Sequence, residues 1–529
     1  MHRFLRFASA SALLVAVLAA SPFRAAEDLN GSSLTLQDVL RRALANNLDL
    51  QIRDLTPLIA QDALMRARAE FDPNVFAEFT YENTKRQQNT IEFISTGGLV
   101  PQQGRYEEEN VRTRVGFGGK LPTGATYELS AAAAELDNSV NRVSPAGLFR
   151  PEYQSFLGLQ LTQPLLQNFG SRAAHAEIRI AHLKLGVSEY ERELEITNKM
   201  IEVVNAYHDL VFGQENLRVK QEAGKSAAQL LEDNRRRQSA GRMSPLDVAQ
   251  AEVKLSEAGE EVLLARDFLR ERRVVLLKLI SPSFDAAALP EFAVQQDFAA
   301  ATVAPAAELI ATARARRPDY LLAQDEVSIA GLRHRRARNG ALPRLDLKFS
   351  YGLNGLDASW SDTLSRATRL HEPQWTGGLV LSAPLGNRAA RAEARATKRE
   401  EQQAGFRLQQ VELNLTLDIH NALQRLDLQR QRLETAATSC RVAGETLTAE
   451  THRLDAGQTT SFNVLLMQDK VSAARTRELA ARVDLQKTVA EVWAASGLLF
   501  ERTGFTIQHR SDATAAADRF SLGKTLARQ

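Results

Sequence analysis

The sequence contains Gly241-Arg-Met-Ser-Pro-Leu-Asp-Val248 and, 216 positions later, Gly457-Gln-Thr-Thr-Ser-Phe-Asn-Val464. In both stretches a glycine ends one helical pattern, in the position where a left-handed residue commonly terminates a helix. Ser244 and Ser461 then stand where a hydroxyl can cap a returning helix, and Pro245 suits the first helical position. Each stretch therefore predicts the tip of a helical hairpin.

The rest of the chain shows the same duplication. Arg172-Ala-Ala-His-Ala-Glu177 matches Arg388-Ala-Ala-Arg-Ala-Glu393, again 216 positions later, so the helical segment has one length in both halves. Two strand-like landmarks repeat as well. They are Phe71-Asp-Pro-Asn-Val-Phe-Ala-Glu-Phe-Thr-Tyr81 with Ala341-Leu-Pro-Arg-Leu-Asp-Leu-Lys-Phe-Ser-Tyr351, and Gly158-Leu-Gln-Leu-Thr-Gln-Pro-Leu165 with Gly378-Leu-Val-Leu-Ser-Ala-Pro-Leu385.

The segments before the tips predict very long helices. Apolar residues recur every three or four positions, which is typical of a coiled-coil seam. A helix of about 68 residues would be roughly 100 Å long and needs a neighbour along its whole length. His208 and Cys440 fall on the seam, so packing is the favoured interpretation for both. Shorter helices are predicted at about Leu36 to Glu70 and Ala306 to Asn339.

Around the strand landmarks the apolar period becomes two. Such alternation fits either a half-buried soluble sheet or a barrel wall with lipid on one side and water on the other. The first half also contains an extra hairpin-like pair around a turn at Pro122-Thr-Gly124. Four or six strands cannot close a membrane barrel, so membrane strands require several chains. The candidate barrel and aromatic-belt residues are Phe79, Tyr81, Leu159, Leu161, Phe349, Tyr351, Trp375 and Leu379.

The chain divides into five predicted segments. Residues 1–26, with Arg3, Arg6 and a short apolar run, are typical of a secretory signal peptide. The first structural repeat is expected at 27–280, a linker at 281–305, the second repeat at 306–503 and a C-terminal tail at 504–529. The formal net charge of +2 argues against a nucleic-acid partner, and one cysteine cannot build a disulfide framework.

These landmarks together resemble the TolC-like outer-membrane efflux family over essentially the whole mature chain. Leu34 to Asn47 is similar to the family's opening helix, and Arg317-Pro-Asp319 followed by Leu342-Pro343 is similar to the start of its second half. The resemblance implies an α+β membrane protein with a two-fold internal repeat. It implies a homotrimer in outer-membrane lipid, with four strands per chain in a shared twelve-stranded transmembrane β-barrel. The helical hairpins would form a tunnel in the periplasm.

The resemblance also implies partners and a gate. The hairpin tips would meet a periplasmic adaptor protein and an inner-membrane transporter of an efflux or type I secretion system. Family aspartates that ring the entrance are replaced here by Asn463, with Leu466 one turn later. Asp247 could bond across the tip and hold it closed, or it could cap its own helix. The extra segment from about Asn83 to Gln154 departs from the simplest members and could add strands or form a separate lobe.

No catalytic, cofactor or metal motif is recognised in the sequence, which argues against an enzyme. The main alternative is a soluble periplasmic coiled-coil scaffold or adaptor without channel activity. An adaptor would show one helical hairpin beside compact β domains. Two matched hairpins with paired amphipathic strands favour the channel.

Overall fold

The computed structural model describes residues 31, 33–95, 105–139, 149, 151–282, 289–296, 298, 302–368 and 373–506. The expected signal peptide, residues 1–26, lies outside them, as does most of the expected tail. The described residues form two compact units. The helical unit contains the residues up to Arg53, Leu194–Arg317 and those from Leu415 onward. The sheet unit contains Asp54–Glu193 and Pro318–Asn414.

Four long helices form the two hairpins. They are Ala176–Ser239 with 64 residues, Pro245–Ile280 with 36, Arg388–Asp455 with 68 and Ser461–Ala495 with 35. The predicted helix length of about 68 residues is thus confirmed. Among the helices of the described ranges, none is both long and apolar enough to cross a membrane. The shorter helices are Leu36–Asn46, Leu48–Arg68, Thr90–Ser95, Ser171–Ala174, Ala306–Arg316, Pro318–Gly340, Trp360–Thr368 and Leu499–Thr503, with a 3₁₀ turn at Ala69–Phe71.

The first shorter helix was expected to be continuous, which is wrong: it is interrupted at Asn47. The Asn47 carboxamide oxygen accepts from the backbone N–H of Asp49 at 2.9 Å and of Leu50 at 3.3 Å, which caps a new helix. Its amide nitrogen donates to the carbonyl of Leu279 at 3.4 Å. A buried asparagine therefore ends one helix, starts the next and fixes both to the end of a long helix.

The second shorter helix is also interrupted, at Arg317, so that expectation is wrong too. Arg317 precedes Pro318 and has extended backbone angles, φ −69° and ψ 123°. A proline disfavours the helical conformation of the residue before it and is well placed at the start of a helix. The Arg317 guanidinium contacts the Asp418 carboxylate at 3.1 Å, within the helical unit.

The core of the helical unit lies around Tyr207, which is fully buried. Its hydroxyl donates to the carbonyl of Gln295 at 2.6 Å. Beside it, the two-residue strands Ser33–Leu34 and Ala293–Val294 pair in parallel. Part of the segment expected as a linker is therefore built into the core. The fully buried large side chains of this cluster include Leu40, Met200, Leu210, Leu276, Leu277 and Ile280.

In chain order the strands are β1 Ser33–Leu34, β2 Asn74–Gln87, β3 Arg105–Lys120, β4 Thr126–Asn138, β5 Glu152–Pro164, β6 Ala293–Val294, β7 Arg344–Asp357 and β8 Pro373–Ser382. Six of them form one antiparallel sheet in the sheet unit, in the spatial order β2-β3-β4-β5-β7-β8. The predicted extra hairpin is confirmed as strands β3 and β4, and it lies inside the sheet between β2 and β5. The sheet therefore has six strands where the resemblance implies four per chain, and the extra segment supplies two of the six.

Candidate functional site

The first hairpin tip is built as its sequence indicates. Gly241 has a φ of +69°, the left-handed conformation that favours glycine after a helix. The Ser244 hydroxyl accepts from the backbone N–H of Leu246 at 3.1 Å. The Asp247 carboxylate accepts from the backbone N–H of Ser244 at 3.3 Å, which completes a capping box. Pro245 occupies the first helical position. The reversal of the chain is therefore stabilised by local hydrogen bonds.

Asp247 was expected either to bond across the tip or to cap its own helix. Its carboxylate accepts a bond from Ser244, and its backbone N–H donates to the Ser244 carbonyl at 3.1 Å. The side chain is half-buried beside the first turn. A carboxylate in this place also interacts favourably with the positive end of the helix. Within one chain, Asp247 is thus a capping residue.

The second tip differs from its sequence-based expectation. Gly457 again has a positive φ, +73°. The N-cap position, however, belongs to Thr460, which makes no side-chain capping bond. Ser461, expected as the cap, lies one residue inside the helix and is 1% exposed. Asn463 donates from its amide nitrogen to the Thr459 hydroxyl at 3.0 Å, so it is fixed within its own hairpin.

Asn234 explains why Ser461 is buried. The Asn234 side chain is fully buried, and its amide nitrogen donates to Oγ of Ser461 at 2.7 Å. The same nitrogen lies 3.4 Å from the carbonyl oxygen of Asp247. One amide therefore joins both hairpins beside their tips. Asn234 was not among the site residues predicted from the sequence; the available signal was a polar residue one helical turn after the buried apolar residue Leu230.

Further contacts join the two hairpins near the tips. Arg237 forms an ion pair with Asp455 at 2.6 Å, and Lys254 forms one with Asp469 at 2.6 Å. Both pairs are partly exposed, so each adds at most about 1 kcal/mol. The larger contribution comes from an apolar cluster shared by the hairpins. It comprises Leu230, Leu454, Val464 and Leu465, with Met243 and Leu447 packed against them.

The two residues expected to pack in the helical seam are enclosed to different degrees. His208 is 4% exposed, and burial lowers its pKa to about 4, with the nearby charge of Lys487 acting in the same direction. Lys487 is itself paired with Asp209 at 2.5 Å. Cys440 is half-buried, and burial raises the pKa of its thiol. A neutral imidazole and a protonated thiol fit packing positions.

In the sheet unit, all eight candidate barrel residues lie on one face. The strand register pairs Tyr351 with Trp375, and Leu161 with Phe349. Because side chains alternate between faces, the register across the six strands gives one continuous apolar face. Most of these side chains are exposed, for example Phe79 at 71%, Trp375 at 69% and Leu379 at 65%. This band extends over Phe79, Tyr81, Leu159, Leu161, Phe349, Tyr351, Trp375 and Leu379, together with Val75, Val111, Val115, Phe117, Leu129, Leu157, Leu347 and Leu381.

The opposite face is polar and concave. It forms an open groove with a volume of about 690 Å³ that crosses five neighbouring strands. Arg114 forms an ion pair with Glu128 from the adjacent strand, and Arg112 lies 3.6 Å from the Glu82 carboxylate. The groove-lining polar side chains of this face are Glu78, Thr80, Arg112, Arg114, Gln154 and Asn354.

The sheet is open at both edges. Strand β2 pairs with β3 on one side, and β8 pairs with β7 on one side. Their outer edges have no strand neighbour among the described residues. Free strand edges carry unpaired N–H and C=O groups, which readily pair with another chain. The sheet unit therefore offers an apolar outer face, a polar inner face and two edges for pairing.

A family model described as outer membrane efflux protein matches residues 39–281 and 309–498, one segment in each repeat. No curated protein sequence matches the chain.

Solved structures share the fold at low sequence identity. One is CusC, a protein described as undergoing conformational changes that accompany folding and transmembrane channel formation. Its TM-score is 0.63 at 13% identity, and the match covers 89% of this chain and 94% of CusC. The outer membrane protein VceC from Vibrio cholerae has a TM-score of 0.62 at 15% identity, covering 87% and 96%. A membrane protein from Pseudomonas aeruginosa has a TM-score of 0.62 at 18% identity, covering 87% and 93%.

Proposed function

The chain belongs to the outer membrane efflux protein family, and from this premise we propose that it is the outer-membrane channel-tunnel of a tripartite efflux or type I secretion system. The sheet would lie in the outer membrane and the helical part in the periplasm. Small molecules or polypeptides would pass through to the exterior without chemical change, so the role is transport and not catalysis. The single observation that carries this proposal is the exposed apolar face of the six-stranded sheet.

An exposed apolar face is not expected on a sheet that has water on both of its faces. Phe79, Trp375 and Leu379 are each more than three-fifths exposed, and they belong to one contiguous band. Bands of this size normally mark an interface or a membrane surface. The reverse face is charged and concave, as expected for a wall with lipid outside and water inside. Tyr351 and Trp375 are directly opposite each other and suit the membrane–water boundary.

The open edges support assembly from several chains. Backbone groups in lipid must all be paired, so a six-stranded open sheet cannot stand alone in a bilayer. The six strands alternate in direction, so β2 and β8 run antiparallel to each other. Strand β8 of one copy can thus pair antiparallel with β2 of the next, which allows a closed ring. We adopt the homotrimer that the family implies.

Exposed apolar residues on the long helices fit the same assembly. In the helical unit, side chains with large exposed fractions recur along single helices, among them Val253 at 60% and Leu264 at 64%. Such side chains would be covered where helices of neighbouring copies pack side by side. On the second hairpin, Leu417, Leu428 and Val442 of the helix Arg388–Asp455 are also exposed.

The hairpin tips are the proposed meeting point with a periplasmic adaptor and an inner-membrane transporter. Leu246 is 65% exposed and Phe462 is 54% exposed. These two residues occupy equivalent positions of the two repeats, directly after Pro245 and Ser461. Exposed apolar side chains at helix ends are suitable anchors for a partner helix. Asp247 is the remaining candidate gate residue, whereas Asn463 lacks the charge that an aspartate ring requires.

The first experiment is to locate the tagged full-length protein and to measure its native mass after detergent extraction. We expect an outer-membrane complex of three chains that forms ion-conducting pores in planar bilayers. A soluble periplasmic monomer would overturn the proposal. It would favour the alternative of a coiled-coil scaffold or adaptor, in which the sheet face must be covered by another protein.

A further inference from the structure

The two repeats contribute unequally to the sheet. The second repeat supplies β7 and β8, whereas the first supplies β2, β3, β4 and β5. Among the described residues of the second repeat, no strand pair corresponds to the hairpin β3–β4. Its place in the sheet determines how wide a shared barrel would be.

The hairpin is fully integrated by backbone pairing. Strand β2 pairs with β3 from Asn74 opposite Gly118 to Gln87 opposite Arg105. Strand β4 in turn pairs with β5 from Thr126 opposite Thr162 to Leu136 opposite Glu152. Strands β2 and β5 are not hydrogen-bonded to each other, because the two strands of the hairpin lie between them in the sheet.

The turn of the hairpin is anchored as well. The carbonyl of Thr123 accepts from the backbone N–H of Gly170 at 3.0 Å, and its hydroxyl bonds to Gln163 at 3.0 Å. Gly124 has a φ of +89°, and a Cβ there would lie 2.5 Å from the carbonyl oxygen of Asn168. A turn that fits so closely against the end of β5 is a fixed part of the sheet.

The side chains of the hairpin continue both faces of the sheet. Val115 and Phe117 are exposed on the apolar face, opposite Ala77 and Val75 of β2. Arg114 lies on the polar face, where it pairs with Glu128. The hairpin therefore has the lipid-facing and water-facing sides that a barrel wall requires. A lobe outside the membrane would not need this alternation.

We propose that β3 and β4 are wall strands of the shared barrel, so that three chains close a barrel of eighteen strands instead of twelve. This inference rests on the proposed function and deepens it. Barrel diameter grows roughly linearly with strand number, so the barrel would be about 1.5 times as wide, with about twice the cross-section. Its exit would accept bulkier cargo than a twelve-stranded barrel, past a lumen that gains Arg112, Arg114 and Glu128 from each chain.

The direct test is electron cryo-microscopy of the full-length complex in lipid nanodiscs. Eighteen strands in the ring, with β8 of each copy beside β2 of the next, would support the inference. A trimer with twelve wall strands and the hairpin folded to one side would overturn it while leaving the channel function intact. Failure to find any ring of chains would overturn the proposed function itself.

A second test measures the width of the barrel in solution. Residues 88–151 are replaced by a short Gly-Ser turn, which joins β2 to β5. The pairing register keeps Val75 and Leu159 on one face after this excision, so the apolar face is preserved. Neutral polyethylene glycols of graded size are then added to the barrel side of single channels. We expect the largest polymer radius that enters to fall to about two-thirds of the full-length value.

The matched control is the double variant Arg112→Ser, Arg114→Ser, which changes lumen charge but retains all six strands. Its polymer cutoff should equal that of the full-length channel. An unchanged cutoff in the excised variant would contradict the inference, because the hairpin would then not form part of the wall. If the excised variant does not assemble, the number of wall strands seen by electron cryo-microscopy in the full-length complex tests the inference instead.

Discussion

The amide nitrogen of Asn234 donates to Oγ of Ser461 at 2.7 Å and thereby joins the first helical hairpin to the second beside their tips. Both groups are buried, Asn234 at 0% exposure and Ser461 at 1%. A buried polar group that loses its partner costs more than the bond contributes. This single bond thus favours one alignment of the two hairpins, and it places the tip of each repeat at a fixed position against the other.

Asn234→Ala and Ser461→Ala should each lower the free energy of unfolding by about 1–3 kcal/mol. Because the two groups bond to each other, the double variant should be less destabilised than the two single effects added together. Thermal unfolding of the detergent-solubilised complex, followed by circular dichroism, measures this. Ser239→Ala, at an exposed serine bonded within its own helix, is the control and should change little. If the two single effects simply add in the double variant, Asn234 and Ser461 do not stabilise each other.

Two variants can separate the capping role of Asp247 from a role in holding the entrance closed. Asp247→Ala removes both the cap and the charge, whereas Ser244→Ala removes the capping hydroxyl alone. If Asp247 also holds the entrance closed, Asp247→Ala should raise single-channel conductance and Ser244→Ala should not. Each should cost about 1 kcal/mol of stability through the lost cap. Equal conductance in both variants would leave Asp247 with the capping role only.

His208 should make stability depend on pH. Burial lowers the pKa of this histidine from 6.5 to about 4. The unfolded chain therefore binds a proton that the folded chain does not, between about pH 6.5 and pH 4. The free energy of unfolding is highest above pH 6.5. It decreases as the pH is lowered from 6.5 to 4, by about 3 kcal/mol in total. Unfolding midpoints measured at pH 7.5 and pH 4.5 should differ accordingly.

The control for that measurement is His420, an exposed histidine on the other hairpin. His420→Gln should leave the pH dependence unchanged, whereas His208→Phe should flatten it. A slope that persists in His208→Phe would assign the pH dependence to other groups.

The two faces of the sheet should differ in access to water. In a Cys440→Ser background, Arg112→Cys places a thiol on the polar face, and Val115→Cys places one on the apolar face. A charged, water-soluble thiol reagent should label the first rapidly and change the channel conductance. It should label the second slowly, because lipid covers that face. Equal labelling of both positions in membranes would contradict the orientation of the wall.

Gly124 should tolerate no side chain. Gly124→Ala places a Cβ against the Asn168 carbonyl in a left-handed backbone conformation, which costs about 1–2 kcal/mol before the clash is counted. The oligomer should therefore dissociate at a lower temperature on a semi-native gel. Gly377→Ala is the matched control, since open space surrounds that position in strand β8. A similar shift for both variants would mean that the turn is not closely fitted.

Features that depend on local pattern could be predicted from the amino-acid sequence alone. The 3–4 spacing of apolar residues predicted the long helices, period-two alternation predicted the strands, and Gly241 and Gly457 marked the tips. These signals are readable because each arises from residues a few positions apart on one helix or strand. The duplicated landmarks likewise predicted two equivalent halves, which the two matched family segments confirm.

Features that depend on residues far apart in the chain could be read only from the folded protein. Asn47 interrupts a helix because its amide reaches the carbonyl of Leu279, 232 positions away. Ser461, the first residue of its helix, is buried and accepts a hydrogen bond from Asn234, 227 positions away. The place of β3 and β4 in the sheet follows from their pairing with β2 and β5, and alternation alone specifies faces without specifying neighbours. Local pattern therefore set the elements, whereas long-range hydrogen bonds set their ends and their order.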